Sequence, residues 1–397
     1  MATDTLFRIE PMTLDAVPAS LADLGSELAA ASAALGARLH PRSAAALADL
    51  VRIMNAYYSN LIEGHDTRPR DIERALVGDL EEHEPRRDLQ LEAAAHVRVQ
   101  RWVDALAHDH ALPEPCSVAF VRELHERFYD GAPRSALEIE GPRGAFAMVP
   151  GAWRSGPEQD VSVGRHVPPA SDRVDAFMRR FETRYAQASL RPGTGLFLLP
   201  VAHHRFGYIH PFPDGNGRVG RLVTHAMAHR AGIGAHGLWS VSRGLARGLE
   251  SRGEYRTWMD RADTSRQGNL DGRGNLSERA LVEFSDWFLR VCLDQVGFMG
   301  GLFDLDRLGE RLDRWVSRSE SLPAAASALL REALVRGEFE RGEAARLTGL
   351  PERSARRVLR ELCDAGMLAS DSPKGPVSLR FPVDALETLF PRLYPES

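Results

Sequence analysis

The chain has 397 residues, 43% hydrophobic and 26% charged, with 50 basic and 55 acidic groups and a formal net charge of −5. Such a balance is that of an ordinary globular chain and excludes a disordered polymer, a coiled-coil rod and a collagen-like repeat. It also excludes a global basic field that would pull the whole chain onto nucleic acid or an anionic membrane. At roughly 150 residues per domain the length predicts two or three domains.

The apolar run Gly195 to Ala202 is far too short for a membrane span, and Met1 to Pro11 shows no signal-peptide pattern. Three scattered cysteines, Cys116, Cys292 and Cys363, form neither a disulfide framework nor a metal-ligand spacing. A reducing, cytoplasmic setting is expected.

In chain order, Leu14 to Leu39 is rich in Ala and Leu and predicts one or two helices. Pro41 interrupts the pattern and Ser43 offers an N-cap. Apolar residues from Ala46 to Leu61 then recur at helical spacing, and Gly64 ends the helix. Further helices are expected at Arg70–Leu76, Arg87–Ala107, Cys116–Tyr129 and Ser171–Ala186. Glu140 to Pro169 is punctuated by Gly and Pro and lacks a helical period. Ala145–Val149 and Val161–Val163 suit two strands of a hairpin. Helices follow around Leu199–Ile209, starting at Thr194 or at Pro200, then Asn216–Ala231, Val241–Arg261 and Ser277–Gly297.

The tail reads as a separate module. Asp304–Arg318 suits a connector helix. Helices at Ala324–Arg336, Arg341–Thr348 and Pro351–Ala365 precede short strands at Met367–Ala369 and Val377–Phe381. Three helices and a hairpin in that order match a winged helix.

The chemistry is concentrated in His210-Pro211-Phe212-Pro213-Asp214-Gly215-Asn216-Gly217-Arg218-Val219-Gly220-Arg221. A loop runs into a helix beginning near Asn216, and Gly215 and Gly217 let backbone N–H groups approach an anion. Arg218 and Arg221 share a helix face and can reach one polyphosphate. Asp214 offers an oxygen ligand of the kind Mg²⁺ prefers, and His210 is a general-base candidate. Together these residues point to a phosphate-bearing nucleotide, Mg²⁺ and phosphoryl or nucleotidyl transfer.

This block resembles, at every defined position, the H-x-F-x-(D/E)-G-N-G-R-x-x-R motif of the Fic (filamentation induced by cyclic AMP) family. Ala202 to Phe206 looks like the helix that leads into it. The resemblance implies a mainly α fold, a Fic-type helical core with a β-hairpin flap, and a protein adenylyltransferase that moves AMP from ATP to a Ser, Thr or Tyr hydroxyl. It implies His210 as the base, Asp214 as the Mg²⁺ ligand, Gly215, Asn216 and Gly217 as the anion hole, and Arg218 and Arg221 on the phosphates. The related Doc-type kinases carry Lys where this chain has Gly217, which disfavours target phosphorylation here.

Upstream, Ser59-Asn60-Leu61-Ile62-Glu63-Gly64 is similar to the family's inhibitory motif (S/T)-x-x-x-E-(G/N). The resemblance implies that Glu63 pairs with Arg221 and takes the place of the γ-phosphate, with Ser59 as the other inhibitory position, and in some relatives the same Glu assists AMP removal. It further implies that a target protein docks on the flap as an added strand.

The expected organisation is an N-terminal helical region (1–110) with the inhibitory helix at about 43–64, a catalytic core (111–300) with the flap at about 145–168, a connector (301–320) and a winged helix (321–397). From Ser321 to Ser397 there are eleven basic and eleven acidic residues, so the tail has no net positive field. Arg353, Arg356, Arg357 and Arg360 either contact DNA or pair with Glu352, Glu361 and Asp364, leaving DNA and protein both open as partners of the tail. A rival reading is a DNA-binding regulator whose Fic core senses nucleotide without catalysis. No membrane partner is expected, and a homodimer is compatible with the sequence. Tyr57 and Tyr58 read as packing residues. His203, His204 and His225 read as ordinary polar residues of flanking helices, His65 has no assigned role, and Tyr255 is either an adenine platform or a helix contact.

Overall fold

A computed structural model describes residues 5–189 and 194–394, and helix dominates it. The elements are α1 (Ala19–Ala37), α2 (Pro41–Ile62), α3 (Pro69–Leu76), α4 (Glu84–His108), α5 (Val118–Phe128), the short α6 (Arg134–Leu137), β1 (Glu138–Gly141), β2 (Gly144–Ala147), α7 (Val174–Ser189), α8 (Gly195–Ile209), α9 (Asn216–Arg230), α10 (Ser242–Arg247), α11 (Glu254–Ala262), α12 (Glu278–Leu302), α13 (Leu305–Ser317), α14 (Ala326–Arg336), β3 (Glu338–Phe339), α15 (Ala344–Thr348), α16 (Glu352–Asp364), β4 (Leu368–Ala369), β5 (Val377–Leu379) and α17 (Val383–Leu389). The ends of the expected N-terminal region and of the expected winged helix, residues 1–4 and 395–397, lie outside the described residues.

The chain divides into two units. One comprises Met1–Ala30, Asn55–Gly234 and Ser240–Gln295, the other Ala31–Met54, Ala235–Trp239 and Val296–Ser397. In the first unit α8 and α9 form the central pair, with α7 against α8 and with α4 and α5 against α9. Each of the two central helices buries twelve of its fifteen residues, as a helix surrounded by others must. A Cβ on Gly220 would come within 3.0 Å of Phe206 Cδ1, so this glycine permits the close approach of α9 to α8. Pro200 lies inside α8, which starts after Thr194. An interior proline forfeits a helical hydrogen bond, and the burial of nearly every neighbouring side chain outweighs that loss here.

The hairpin pairs β1 with β2 antiparallel, Glu138 opposite Ala147 and Gly141 opposite Gly144. This corrects the expected pairing: Ala145–Val149 overlaps β2, but Val161–Val163 is no strand and makes only an isolated bridge from Val163 to His166. The tight Gly141-Pro142-Arg143-Gly144 turn selects the nearer partner, because a short loop is entropically the easier one to close. Glycines also split the expected helix Val241–Arg261 into α10 and α11. Gly248 and Gly253 have φ of +69° and +96°, a conformation no right-handed helix contains, and Glu254 collects the N–H groups of Leu249, Glu250 and Ser251 in the break.

In the second unit α13 packs on α14 and α17, and α14 meets α15, α16 and a three-stranded sheet of order β3-β5-β4. Pro41 opens α2 rather than only interrupting a pattern, as proline at a first helical position can. Ser43 is therefore inside the helix and is no N-cap. Its hydroxyl donates to the carbonyls of Ala333 and Leu334 at 3.2 and 2.9 Å. The helix α16 buries Ala355, Val358, Leu359 and Leu362, so its charged residues occupy the opposite face.

Candidate active site

The site is built where α8 ends and α9 begins. His210 is the C-cap of α8 in a left-handed conformation (φ 51°, ψ 62°), and its N–H still bonds Phe206 O. That reversal turns the chain out of α8 into the loop Pro211–Gly215. Two buried side chains hold the loop. Phe212 is fully buried and stacks on His125, centroids 3.8 Å apart, beside Trp153. Asn216 clamps the loop reciprocally: its Oδ1 accepts from Phe212 N–H at 2.8 Å and its Nδ2 donates to Phe212 O at 2.7 Å.

Arg154, 1% exposed, locks this turn from outside. Its guanidinium donates to the carbonyls of His210 (2.7 Å), Ile209 (3.0 Å) and Pro169 (2.6 Å) and to Ser171 Oγ (2.9 Å). It thereby satisfies carbonyls that the end of α8 leaves without helical partners. Burial, and secondarily the Arg154 charge, pushes the His210 imidazole down to about 4. The imidazole is thus neutral at pH 7 and able to accept a proton.

The first helical bond of α9 runs from Val219 N–H to Gly215 O. The N–H groups of residues 216–218 therefore precede the helical ladder, and they lie at the positive end of the helix dipole. Gly215 has φ +79°, and a Cβ there would meet Tyr129 Oη at 2.8 Å. Asp214 Oδ2 accepts from Tyr129 Oη and from Arg218 Nη2, both at 2.7 Å. Burial alone would raise the Asp214 carboxyl, but the Arg218 charge and the Tyr129 bond outweigh it and hold the group below the usual carboxylate range. Asp214 is ionised, with 44% of its side chain exposed, a donor suited to a hard divalent cation.

Both arginines are ion-paired. Arg218, 5% exposed, bridges Asp214 and Glu92, the latter at 2.5 Å. Glu92 in turn meets His65 Nδ1 at 3.1 Å, and this bond raises the imidazole. Arg221, 1% exposed, donates to Ser59 Oγ (2.8 Å), Ser59 O (2.9 Å) and Glu63 Oε1 (2.6 Å). Burial pushes the Glu63 carboxyl up, and Arg221 more than offsets this, so Glu63 is an anion.

The expected residues Ser59, Glu63, His210, Asp214, Gly215, Asn216, Gly217, Arg218 and Arg221 thus sit in one unit, linked by the bonds above. Arg353, Arg356, Arg357 and Arg360 belong to the other unit, exposed on α16. Arg356 pairs with Glu352 at 3.0 Å and Arg357 with Glu361 at 3.7 Å. Sequence reasoning misses Arg154, Tyr129, Glu92 and His125, because their partners lie far away in sequence and several are backbone carbonyls. His203 is a buried residue of α8: its Nδ1 meets Thr224 Oγ1 and its Nε2 meets Tyr255 Oη, both at 2.8 Å. That bond ties Tyr255 of α11 to α8. His204 likewise is buried, against Asp263 and Met259 O.

Residues 115–228 match the Fic/DOC family. Proteins named protein adenylyltransferase Fic align with the same chain: that of Drosophila willistoni is 41% identical over 76 residues, 18% of this chain and 14% of that protein, and that of Nematostella vectensis is 34% identical over 89 residues, 22% and 20% respectively. The chain therefore spans a fifth or less of these relatives' length. A Fic family protein from Desulfovibrio desulfuricans superposes over 92% of this chain and 98% of its own, with a TM-score of 0.54 at 18% identity. A Fic domain containing signaling protein from Bacteroides thetaiotaomicron covers 70% of this chain and 96% of its own, with a TM-score of 0.51 at 19% identity. Residues 115–228 are thus similar to Fic/DOC domains, within a mainly helical fold shared with these structures. Among the described residues no helix is long and apolar enough to cross a membrane.

Proposed function

We propose that this chain is a protein adenylyltransferase that moves AMP from ATP to a Ser, Thr or Tyr hydroxyl of a target protein. The observation that carries the reading is the neutral, locked His210 next to a helix start furnished with Asp214, Arg218 and Arg221. In the reaction His210 takes the proton of the target hydroxyl. The hydroxyl oxygen attacks the α-phosphorus, the bond to the bridging oxygen of pyrophosphate breaks, and pyrophosphate leaves. The N–H groups of residues 216–218 and the two arginines stabilise the charge that builds on the phosphate oxygens. Asp214 would hold Mg²⁺, which when bound offsets charge on the α- and β-phosphates.

Glu63 makes the resting state inhibited. Arg221 cannot hold a γ-phosphate while it holds Glu63, and the phosphate oxygens would have to compete with a carboxylate at 2.6 Å. The hairpin β1–β2 is the flap. Its base is tied by Met148 N–H to Leu137 O, and the chain after it is tied to the catalytic loop by Arg154 N–H to Pro211 O. An extended target segment added to it would be held by backbone bonds close to His210. The tail serves as a winged helix, with the exposed face of α16 as its contact surface. Location in the cytoplasm and reversal by de-AMPylation belong to the same proposal.

The test is transfer of label from α-labelled ATP to protein in lysate with Mg²⁺, using the Glu63→Gly variant to relieve inhibition. A second substitution, His210→Ala, is expected to lower the rate by ~10²–10⁴, the usual contribution of a general base. Undiminished transfer without His210 would overturn the assignment.

A further inference from the structure

The first turn of α9 carries the proposed phosphate site, and its last turns carry a second cluster with different chemistry. His225 and His229 are one helical turn apart, and Nε2 of each meets the same carboxylate oxygen of Asp104 on α4, at 2.6 and 2.9 Å. The two Nε2 atoms are 3.3 Å apart with the rings at 89°. Asp104 is 8% exposed, His225 6%, and the His229 side chain 10%.

We propose that Asp104, His225 and His229 bind one divalent transition-metal ion, with Zn²⁺ as the best fit. A tetrahedral zinc centre with bonds of about 2.0–2.1 Å places its donor atoms about 3.3 Å apart, which is the separation of the two imidazole nitrogens. The two His–Asp separations, 2.6 and 2.9 Å, are shorter and open by about 0.7 and about 0.4 Å to reach the same edge. Two nitrogens and one oxygen suit zinc, whereas Mg²⁺ and Ca²⁺ take oxygen donors. The site is therefore distinct in kind from Asp214. Water would serve as the fourth ligand of the tetrahedron.

The position gives the ion a structural role. It would staple α4 to α9, the two helices that also present Glu92 and Arg218 to each other. Without metal, Asp104 can still accept an N–H from each imidazole, so the staple adds to a packed interface rather than creating it.

The test uses the full chain, stripped with a chelator, incubated with Zn²⁺ and desalted. About one zinc per chain is expected by elemental mass spectrometry, with a higher Tm in the loaded protein, because an ion bound only to the folded state stabilises it. Co²⁺ in its place should give ligand-field bands in the visible. Asp104→Asn and His229→Gln keep hydrogen-bonding groups but should each weaken binding by at least ~10-fold. His229→Cys supplies a zinc ligand in place of the imidazole and should retain binding, which a pure hydrogen-bond network would not require. A zinc content far below stoichiometric with no change of Tm overturns the proposal. So does stoichiometric zinc that both weakening variants bind as tightly as the parent, because the ion then sits elsewhere.

Discussion

A Cβ built on Gly217 would lie 2.1 Å from Glu63 Oε1 and 3.1 Å from Arg221 Nη1. The absence of a side chain at 217 is thus a condition for the Glu63–Arg221 pair. Glycine here serves both the approach of an anion and the carboxylate that precedes it. Gly217→Ala should therefore displace Glu63, whose side chain is flexible and one-third exposed, and raise basal self-labelling from ATP by less than Glu63→Gly does, because the same Cβ also crowds the anion that replaces the carboxylate.

The double-variant cycle makes this specific. Glu63→Gly alone should raise labelling roughly tenfold or more, since a charge-assisted hydrogen bond contributes about 1.5–3 kcal/mol. If both substitutions act on the same ion pair, Gly217→Ala adds little in the Glu63→Gly background. A full additional gain in the double variant would show that residue 217 acts on something other than Glu63.

His210 predicts the pH profile. As the proposed base it must be neutral, and burial holds its imidazole near 4, below the ordinary 6.5. As pH falls from 7, the neutral form persists until the folded value is approached. The acid limb of kcat/KM in the Glu63→Gly background should therefore lie below pH 6. A half-maximum at pH 6.5 or above would mean that the group limiting the rate is an unperturbed imidazole.

His203 predicts how stability depends on pH. Burial, then the Arg221 charge, pushes its imidazole down to about 3. Between about pH 6.5 and 4 the unfolded chain binds a proton there that the folded chain refuses. Stability is thus highest above 6.5 and falls with acid by about 1.4 kcal/mol per pH unit for this one group. Urea melts from pH 7 to 4.5 should show that slope reduced in His203→Gln, which can still bond Thr224 and Tyr255.

The proposed catalytic block is legible because its chemistry is local: twelve consecutive residues carry the proposed base, cation ligand and anion site. The Glu63–Arg221 pair spans 158 positions and is legible only through a second motif of its own. Arg154 leaves no such mark. It acts 56 positions upstream of His210 on backbone carbonyls, which every residue has, so nothing in the pattern of side chains points to it. Tyr129 and Glu92 are hidden for a related reason, since a Tyr and a Glu on helices read first as packing and surface charge. The hairpin fails differently. Val161–Val163 has strand composition, but strand pairing depends on the turn, and Gly141–Gly144 closes a nearer one. The continuous helix expected at Val241–Arg261 ignores the two glycines whose positive φ ends it.

The tail yields the last prediction. The four arginines of α16 lie opposite its buried face, and two are already matched by Glu352 and Glu361 one turn away. Such exposed pairs are weak, yet their carboxylates sit beside the cations and cancel much of the local field. Arg353 and Arg360 are the remaining positive charges on that face. If α16 meets DNA, these two neutralise phosphates, and binding is weak and strongly salt-dependent. Arg353→Ala with Arg360→Ala should then flatten the plot of log affinity against log salt by about two units, close to one for each phosphate no longer neutralised. Nucleotide binding should be unchanged, since every residue proposed to bind phosphate belongs to the other unit. Fluorescence anisotropy with a labelled duplex over a salt series checks both points. An unaltered salt slope in the double variant removes DNA from this surface and leaves a protein partner for the tail.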